Sequence, residues 1–382
     1  MQTGPSLALT RLMMKTMTPL PCPTIPPFCP NPECPFHHPN SNQWNYVRVG
    51  TYRRHKPPYT VQRFRCNHCK RFFSTQTFAA SYWLKRPELL PEIQRHAVSG
   101  AANRQVARVL GCNPSTVDNH LARLGRHCLL FHRHMIRDMS PLSDIAFDGL
   151  VTFEVSQYFP FEIIAAVGRA SSFVTHFAEA ERRRSGKMTG TQEKIRQRLE
   201  SVVGRADRKA VDRAVFEVLS ETLEGAIAAV AWSDEHTLYP RVIARLRDIE
   251  IDHRTVNSQK TRNVQNPLFE INCLDMLLRH CLKEHTRETI AFAKRRQHSI
   301  YRMAIMLVWR NYVKLRREKR CRETPAMLVG LTDRPLVEEE VLWRRLFVSQ
   351  IPLPPLWDDY YWRRVKTRAQ EVNREHELKY AF

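Results

Sequence analysis

Residues 225–240 read GAIAAVAWSDEHTLYP, an apolar run that breaks off at Ser233, Asp234 and Glu235. The run is too short for a buried helix and has the length of a buried strand. A second segment of this kind lies upstream: residues 144–155, DIAFDGLVTFEV, alternate apolar and polar and carry Asp148 in the middle. Residues 161–167 and 172–177 follow as two more strands, so 144–177 reads as an antiparallel meander. Between the meander and the 226–232 strand, residues 191–204 and 208–223 carry apolar positions at helical spacing. Residues 239–246 read as a further helix and 249–256 as a short strand.

An apolar strand that ends in Asp, with an acidic strand earlier in the chain, is how a ribonuclease-H-like fold holds divalent metals. Adjacent strands would bring Asp148 and Asp234 to one sheet edge as hard oxygen ligands suited to Mg2+ or Mn2+. Two such ions can activate an attacking oxygen and stabilise a leaving one in an in-line phosphoryl displacement. Asp at a strand end is also a common turn or cap residue.

Upstream, CPNPEC sets Cys29 and Cys34 five apart and CNHC sets Cys66 and Cys69 three apart. Two short loops around a long gap, with strand-like pieces at 44–49 and 61–65, match a four-thiolate zinc ribbon. Four thiolates close the coordination sphere, so such a Zn2+ is structural. Cys22, His37, His38 and His68 are nearby substitutes. Arg48, Arg53, Arg54, Lys56, Arg63, Arg65, Lys70 and Arg71 are interleaved with Tyr52, Tyr59, Phe64, Phe72 and Phe73. Basic residues among aromatics suit phosphate and base contact, but Phe64, Phe72 and Phe73 read first as a small core.

Next, residues 88–98, 103–110 and 115–124 read as helices, with Gly111 as the turn, Pro114 barring helical continuation and Ser115 as a cap. Val117, Leu121 and Leu124 form a buried stripe. Ser115, Thr116, Asp118, Asn119, His120 and Arg123 are then the face a recognition helix presents to a major groove. Asn119 and Arg123 suit base edges, and Arg104 and Arg108 suit phosphates. A plain three-helix bundle would show the same periodicity.

The 382 residues are 43% apolar, enough for a core in more than one domain, and their net charge of +22 points to a polyanion. Residues 48–137 carry +14 and 282–322 carry +10, while 138–281 carry −2. No apolar run approaches the roughly 20 residues of a membrane span, and the proline-rich first 28 residues do not follow a secretory signal plan. Apart from the four at metal spacing, the ten cysteines are scattered, which fits a reducing compartment.

The order of ribbon, helix-turn-helix, FDG, WSDEHTLYP and HTRETIAFAKRRQ…WRNY resembles bacterial insertion-sequence transposases of the DDE type, over roughly residues 29–320. The resemblance implies a multidomain α+β chain: a disordered lead-in at 1–28, a zinc ribbon at 29–78 and a helix-turn-helix domain at 79–137. A ribonuclease-H-like mixed-sheet catalytic core would follow at 138–322, with a C-terminal helical extension at 323–382. It implies binding of transposon ends and target DNA, metal-dependent strand cleavage and strand transfer. Structural Zn2+, two catalytic Mg2+ or Mn2+ ions, a homo-oligomer and a cytoplasmic, nucleoid-associated location are implied too.

The family also needs a third acid, on the helix after the last strand. Its usual Glu falls here on Asn272, with Glu270 and Asp275 beside it. Asp275, one turn further on the same face, is the first candidate. Glu288, with Arg295 seven residues on, is the second. In the 283–322 block, Ile300, Met303, Ala304, Leu307, Val308, Trp309 and Tyr312 read as core beside a basic face. His285, Arg287, Lys294 and Arg295 are its candidates for scissile-phosphate contact. Residues 338–346 and 360–378 read as helices around a proline-rich 351–356, with Trp343, Trp357 and Trp362 suited to packing on the core first and on a second protomer second. A regulator with an inactive core, or a ribonuclease-H-like nuclease, would share much of this pattern.

Overall fold

A computed structural model describes residues 25–38, 43–287, 289–317, 319 and 321–376. Cys22, Glu288 and most of the 1–28 lead-in lie outside the described residues. The chain divides into two compact units, one reaching to Glu92 and including Leu342–Arg345, the other formed by Ile93–Val341 and the chain from Leu346 onward.

In the first unit β1 (Tyr46–Arg53), β2 (Thr60–Cys66) and β3 (Phe72–Ser74) form an antiparallel sheet in that order. Its core is aromatic: Phe64 and Phe73 stack at 5.5 Å between centroids, and Phe78 meets Phe73 edge-on at 6.0 Å. The alternation of β3 turns Phe72 outward, 55% exposed, with the Arg63 guanidinium 5.5 Å above its ring. Phe72 is therefore not core. Trp343, in the Leu342–Arg345 piece, is also exposed, whereas Trp357 of the second unit is buried.

The break between the units falls within α1 (Leu90–Ala97), and α2 (Asn103–Val109) and α3 (Pro114–Met135) follow. Asn113, not Ser115, caps α3: its Oδ1 accepts from the Ser115 amide at 2.9 Å, and Pro114 takes the first helical position. The helix runs well past residue 124 because Cys128, Leu129, Leu130 and Phe131 continue the apolar stripe and are buried. The His132 Nε2 lies 2.8 Å from the Thr175 carbonyl, and burial pushes its pKa down to about 3, so a neutral ring ties α3 to the sheet of this unit.

That sheet comprises β4 (Asp144–Phe153), β5 (Pro160–Gly168), β6 (Val174–Glu181), β7 (Ala228–Ser233) and β8 (Glu250–Thr255), in the order β6-β5-β4-β7-β8. Strands β4, β5 and β6 are an antiparallel meander, and β7 and β8 run parallel to β4. Helices α4 (Gly190–Val203) and α5 (Ala210–Thr222) precede β7, α6 (Tyr239–Ile243) precedes β8, and α7 (Phe269–Cys281) follows it. Ala214, Val215, Val218 and Leu219 of α5 cover one sheet face, meeting Ile145, Phe147, Ile164 and Ala178. The expected elements are thus present, shifted by a few residues at their ends.

Helix α8 (Arg296–Val308) runs on through one π-helical turn at Trp309–Val313. Its expected apolar residues are core except Trp309, which is half-buried, and the expected basic face is divided: Arg296, Arg302 and Arg310 are each 5% exposed, whereas Arg287, Lys294, Arg317, Lys319 and Arg322 are exposed. Buried guanidinium groups need acceptors; Arg302 and Arg296 have them, whereas one Nη of Arg310 is buried without a hydrogen-bond partner. Arg302 donates to the carbonyls of Ala97 and Ala101 at 3.1 and 3.0 Å, and Arg296 lies 3.3 Å from Glu179. Three short helices follow among the described residues, α9 (Pro325–Leu328), α10 (Glu338–Val341) and α11 (Pro355–Tyr361). The expected helix at 360–378 is absent from the described residues 362–376.

Helices α3 and α8 approach so closely at Gly125 that a Cβ there would lie 2.4 Å from the Tyr301 Cβ. Gly125→Ala is expected to destabilise the second unit by about 1–3 kcal/mol through overpacking. Thermal or urea unfolding measures the loss, and an unchanged midpoint would contradict this helix contact.

Candidate functional site

In the first unit four thiols converge. The Cys29 and Cys69 Sγ atoms are 3.6 Å apart, those of Cys34 and Cys66 are 4.0 Å apart, and all four lie within 4.8 Å of one another. Sulfurs about 2.3 Å from one tetrahedral ion stand about 3.8 Å apart, so the group could hold Zn2+. Burial acts to raise the Cys66 pKa, but the Trp44 indole N–H at 3.3 Å and the amides of Cys69 and His68 outweigh it and bring the thiol down to about 7. Burial pushes Cys29 and Cys34 up, so their protons leave only against a cation. His37 is no ligand: its Nδ1 bonds the Cys29 carbonyl at 2.8 Å and braces the loop. Arg48, Arg53, Arg63, Arg65, Lys70 and Arg71 are exposed around this site, with Tyr52 and Tyr59 among them.

In the second unit the register of β4 against β7 pairs Ala146 with Trp232. Asp148 lies two residues beyond that pair on β4, and Asp234 two residues beyond it, just past the end of β7. Alternation puts Asp148 on the face opposite Phe147, away from α5, and α7 packs across β4 and β5. Burial is the main reason the Asp148 carboxyl is pushed up to about 6, with the charges of Asp234 and Glu162 adding to it. Asp275 of α7 is pushed up to about 7 by burial and by the charge of Asp148, against the pull of Arg279 and Arg262. Each carboxyl is thus within electrostatic reach of the next. Among the described residues the four cysteines are the only group of three or more whose ligand atoms all lie within 4.8 Å of one another, so the three acids are spread more widely than one ion needs. Two ions roughly 4 Å apart would need such a spread.

Other candidates lie elsewhere. Glu270 points away from this centre, held by Arg316 at 3.0 Å and by the Ser172 hydroxyl. His285 is buried, its Nε2 3.2 Å from the Ser299 hydroxyl, so it cannot meet a phosphate; burial also lowers its pKa. Arg287 and Lys294 are exposed, and Arg295 donates to the Val372 carbonyl at 2.7 Å. Arg104, Arg108, Ser115 and Asn119 are exposed, whereas Thr116 and Arg123 are partly buried. His120 is buried, with its Nδ1 2.7 Å from the Thr116 carbonyl, and is therefore not part of an exposed reading face.

Sequence reasoning missed Glu162. It is 5% exposed on β5, and its carboxylate occupies the space where a Cβ on Gly149 would sit, with Oε1 1.9 Å from that position. Its pKa is raised by burial, with Arg182 at 2.8 Å and His236 drawing it back. A lone carboxylate in the apolar strand PFEIIAAVG was the available signal, since unpaired buried acids are rare.

No family model matches this sequence, and no curated protein matches it. Among solved structures, the simian T-cell lymphotropic virus intasome in complex with PP2A regulatory subunit B56 gamma contains a chain to which this one is similar. The two are 11% identical, the match covers 64% of this chain and 76% of that one, and the TM-score is 0.28. No described helix is long and apolar enough to cross a membrane.

Proposed function

We propose that the chain is a DNA strand-transferase of the DDE transposase type, with a ribonuclease-H-like core and with Asp148, Asp234 and Asp275 as its catalytic carboxylates. The observation that carries this reading is the electrostatic coupling of Asp148, two residues beyond the Ala146–Trp232 pair, to Asp234 and to Asp275 of α7. A meander of three antiparallel strands continued by two parallel ones supports the core assignment. Mg2+ or Mn2+ bound by these acids would supply activation of the attacking oxygen and neutralisation of the charge developing on the phosphate. The donor set fits a hard cation: all three carboxyls are oxygen ligands, and Asp148 and Asp275, whose hold on their protons is raised by burial and nearby negative charge, gain most from one. Arg262 draws on Asp148 and Asp275 and Arg279 on Asp275, while α2–α3 bind DNA through Arg104, Arg108, Ser115 and Asn119.

The test is strand transfer on DNA carrying the sequences that flank the gene, with Mg2+ or Mn2+ supplied. Asp234→Asn is expected to abolish product while leaving DNA binding unchanged, and retained transfer would overturn the assignment.

The same carboxyls predict a pH linkage. Asp148 and Asp275 bind protons more tightly folded than unfolded, so they stabilise the metal-free fold fully only below their ordinary value of 3.8. That contribution is lost as the pH rises through about 6 and about 7. Saturating Mn2+ is therefore expected to raise the melting temperature by about 5 °C at pH 8 and by little at pH 5. Equal shifts at the two pH values would contradict it.

A further inference from the structure

We propose that the segment 182–209, built around α4, is a clamp for the phosphate backbone of duplex DNA beside the carboxylate centre. The inference rests on the reading above for its substrate. The near-neutral middle of the chain conceals this segment: residues 182–209 hold ten Lys and Arg against three Asp and Glu, a net +7.

Helix α4 contains no buried residue, so burial of apolar surface does not explain its presence. Its inner side, Arg196, Leu199, Glu200 and Val203, lines a narrow recess that Arg184 and Phe159 also line. Its outer side exposes Lys194 and Arg198, and the chain beyond it exposes Arg205, Arg208 and Lys209. Within the recess one carboxylate serves three guanidiniums: Glu200 lies 2.7 Å from Arg183, 3.2 Å from Arg205 and 3.9 Å from Arg196. The Nε atoms of Arg184 and Arg196 are buried with no hydrogen-bond partner. Lys194, Arg198 and Arg208 have no ion pair among the described residues. Such an excess of cationic donors suits a run of phosphates.

Position supports the same occupant. The segment starts at the end of β6, where Arg182 pairs with Glu162 at 2.8 Å, and the charge of Glu162 is felt by Asp148. A 14-residue helix is about 21 Å long, which matches about six base pairs of duplex. A strand whose phosphate meets the carboxylates could therefore continue along α4.

The test uses the full chain in metal-free buffer with a labelled random duplex of roughly 30 base pairs, read by fluorescence anisotropy against salt. The triple variant Lys194→Glu, Arg198→Glu, Arg208→Glu is expected to bind at least about tenfold more weakly, with a log–log salt slope shallower by about 3. Zinc content and melting temperature should stay unchanged, and the Lys/Arg-exchanged triple should bind as wild type does. If the triple variant does not fold, the pair Lys194→Gln, Arg198→Gln should still flatten the slope by about 2. Unchanged affinity and slope would overturn the clamp, as would a changed oligomeric state at unchanged affinity, which would assign α4 to a second copy of the chain. Metal-free binding does not depend on the carboxylates. Loss of the clamp effect with intact Asp-dependent transfer therefore rejects this inference alone, and transfer that survives Asp148→Asn rejects the catalytic reading alone.

Discussion

Replacing Asp148 by Asn is expected to lower strand transfer by about a thousandfold or more while DNA affinity stays within about twofold of wild type. The change keeps shape and removes charge. Asp148 accepts the Gly149 amide at 2.7 Å through one oxygen, a bond that an Asn carbonyl can keep, so the local turn survives. The free carboxyl is already pushed up to about 6 by burial and by Asp234 and Glu162, so the neutral amide suits the metal-free protein. Asp148→Asn should therefore be no less stable than wild type without metal, yet lose the pH-8 stabilisation by Mn2+. Measured together, transfer, affinity and melting separate a catalytic loss from a folding loss. Transfer above about a tenth of wild type would remove Asp148 from the reaction.

Replacing Cys66 by Ser should release the zinc and unfold the first unit's ribbon. The Cys66 thiol is brought down to about 7 because the Trp44 indole and two backbone amides stabilise its thiolate, whereas burial pushes Cys29 and Cys34 up. It is the ligand most ready to bind first. A structural zinc site contributes on the order of 10 kcal/mol to a small domain, and the stack of Phe64 on Phe73 is little core to stand without it. The expected result is a metal-to-protein ratio near zero and loss of near-UV signal from the ribbon aromatics. Retained zinc in Cys66→Ser would refute the four-thiolate site. The second unit has its own buried core and should keep its melting transition.

Much of both sites could be read from local pattern. The four cysteines are spaced as two short loops, and metal geometry restricts what such spacing can do. Asp148 and Asp234 stand out because each interrupts or ends an apolar strand, where a carboxylate has no packing reason to be. The third acid was harder. Asp275, Glu270 and Asn272 share a short stretch of one helix, and periodicity cannot say which turn faces the sheet. In the fold Glu270 is held by Arg316, while Asp275 feels the charge of Asp148.

Net charge misled in one region and hid a feature in another. Residues 282–322 carry +10, yet Arg296 and Arg302 turn inward to carbonyls and carboxylates and Arg310 is buried too, which a charge count cannot register. Around α4 the reverse holds: acids elsewhere in the middle cancel its ten cations in any long window.

By itself the sequence marked out most of the elements, the four-cysteine set and the two candidate aspartates beside apolar strands, because each depends on neighbours within a few residues. Only the tertiary structure decided that Glu162 fills the gap over Gly149, that His120 and His285 are buried, that α3 runs on into the core, and that α4 lies uncovered. Those outcomes depend on which distant surfaces meet, and the burial or exposure of a charged side chain is set by its partners across the fold.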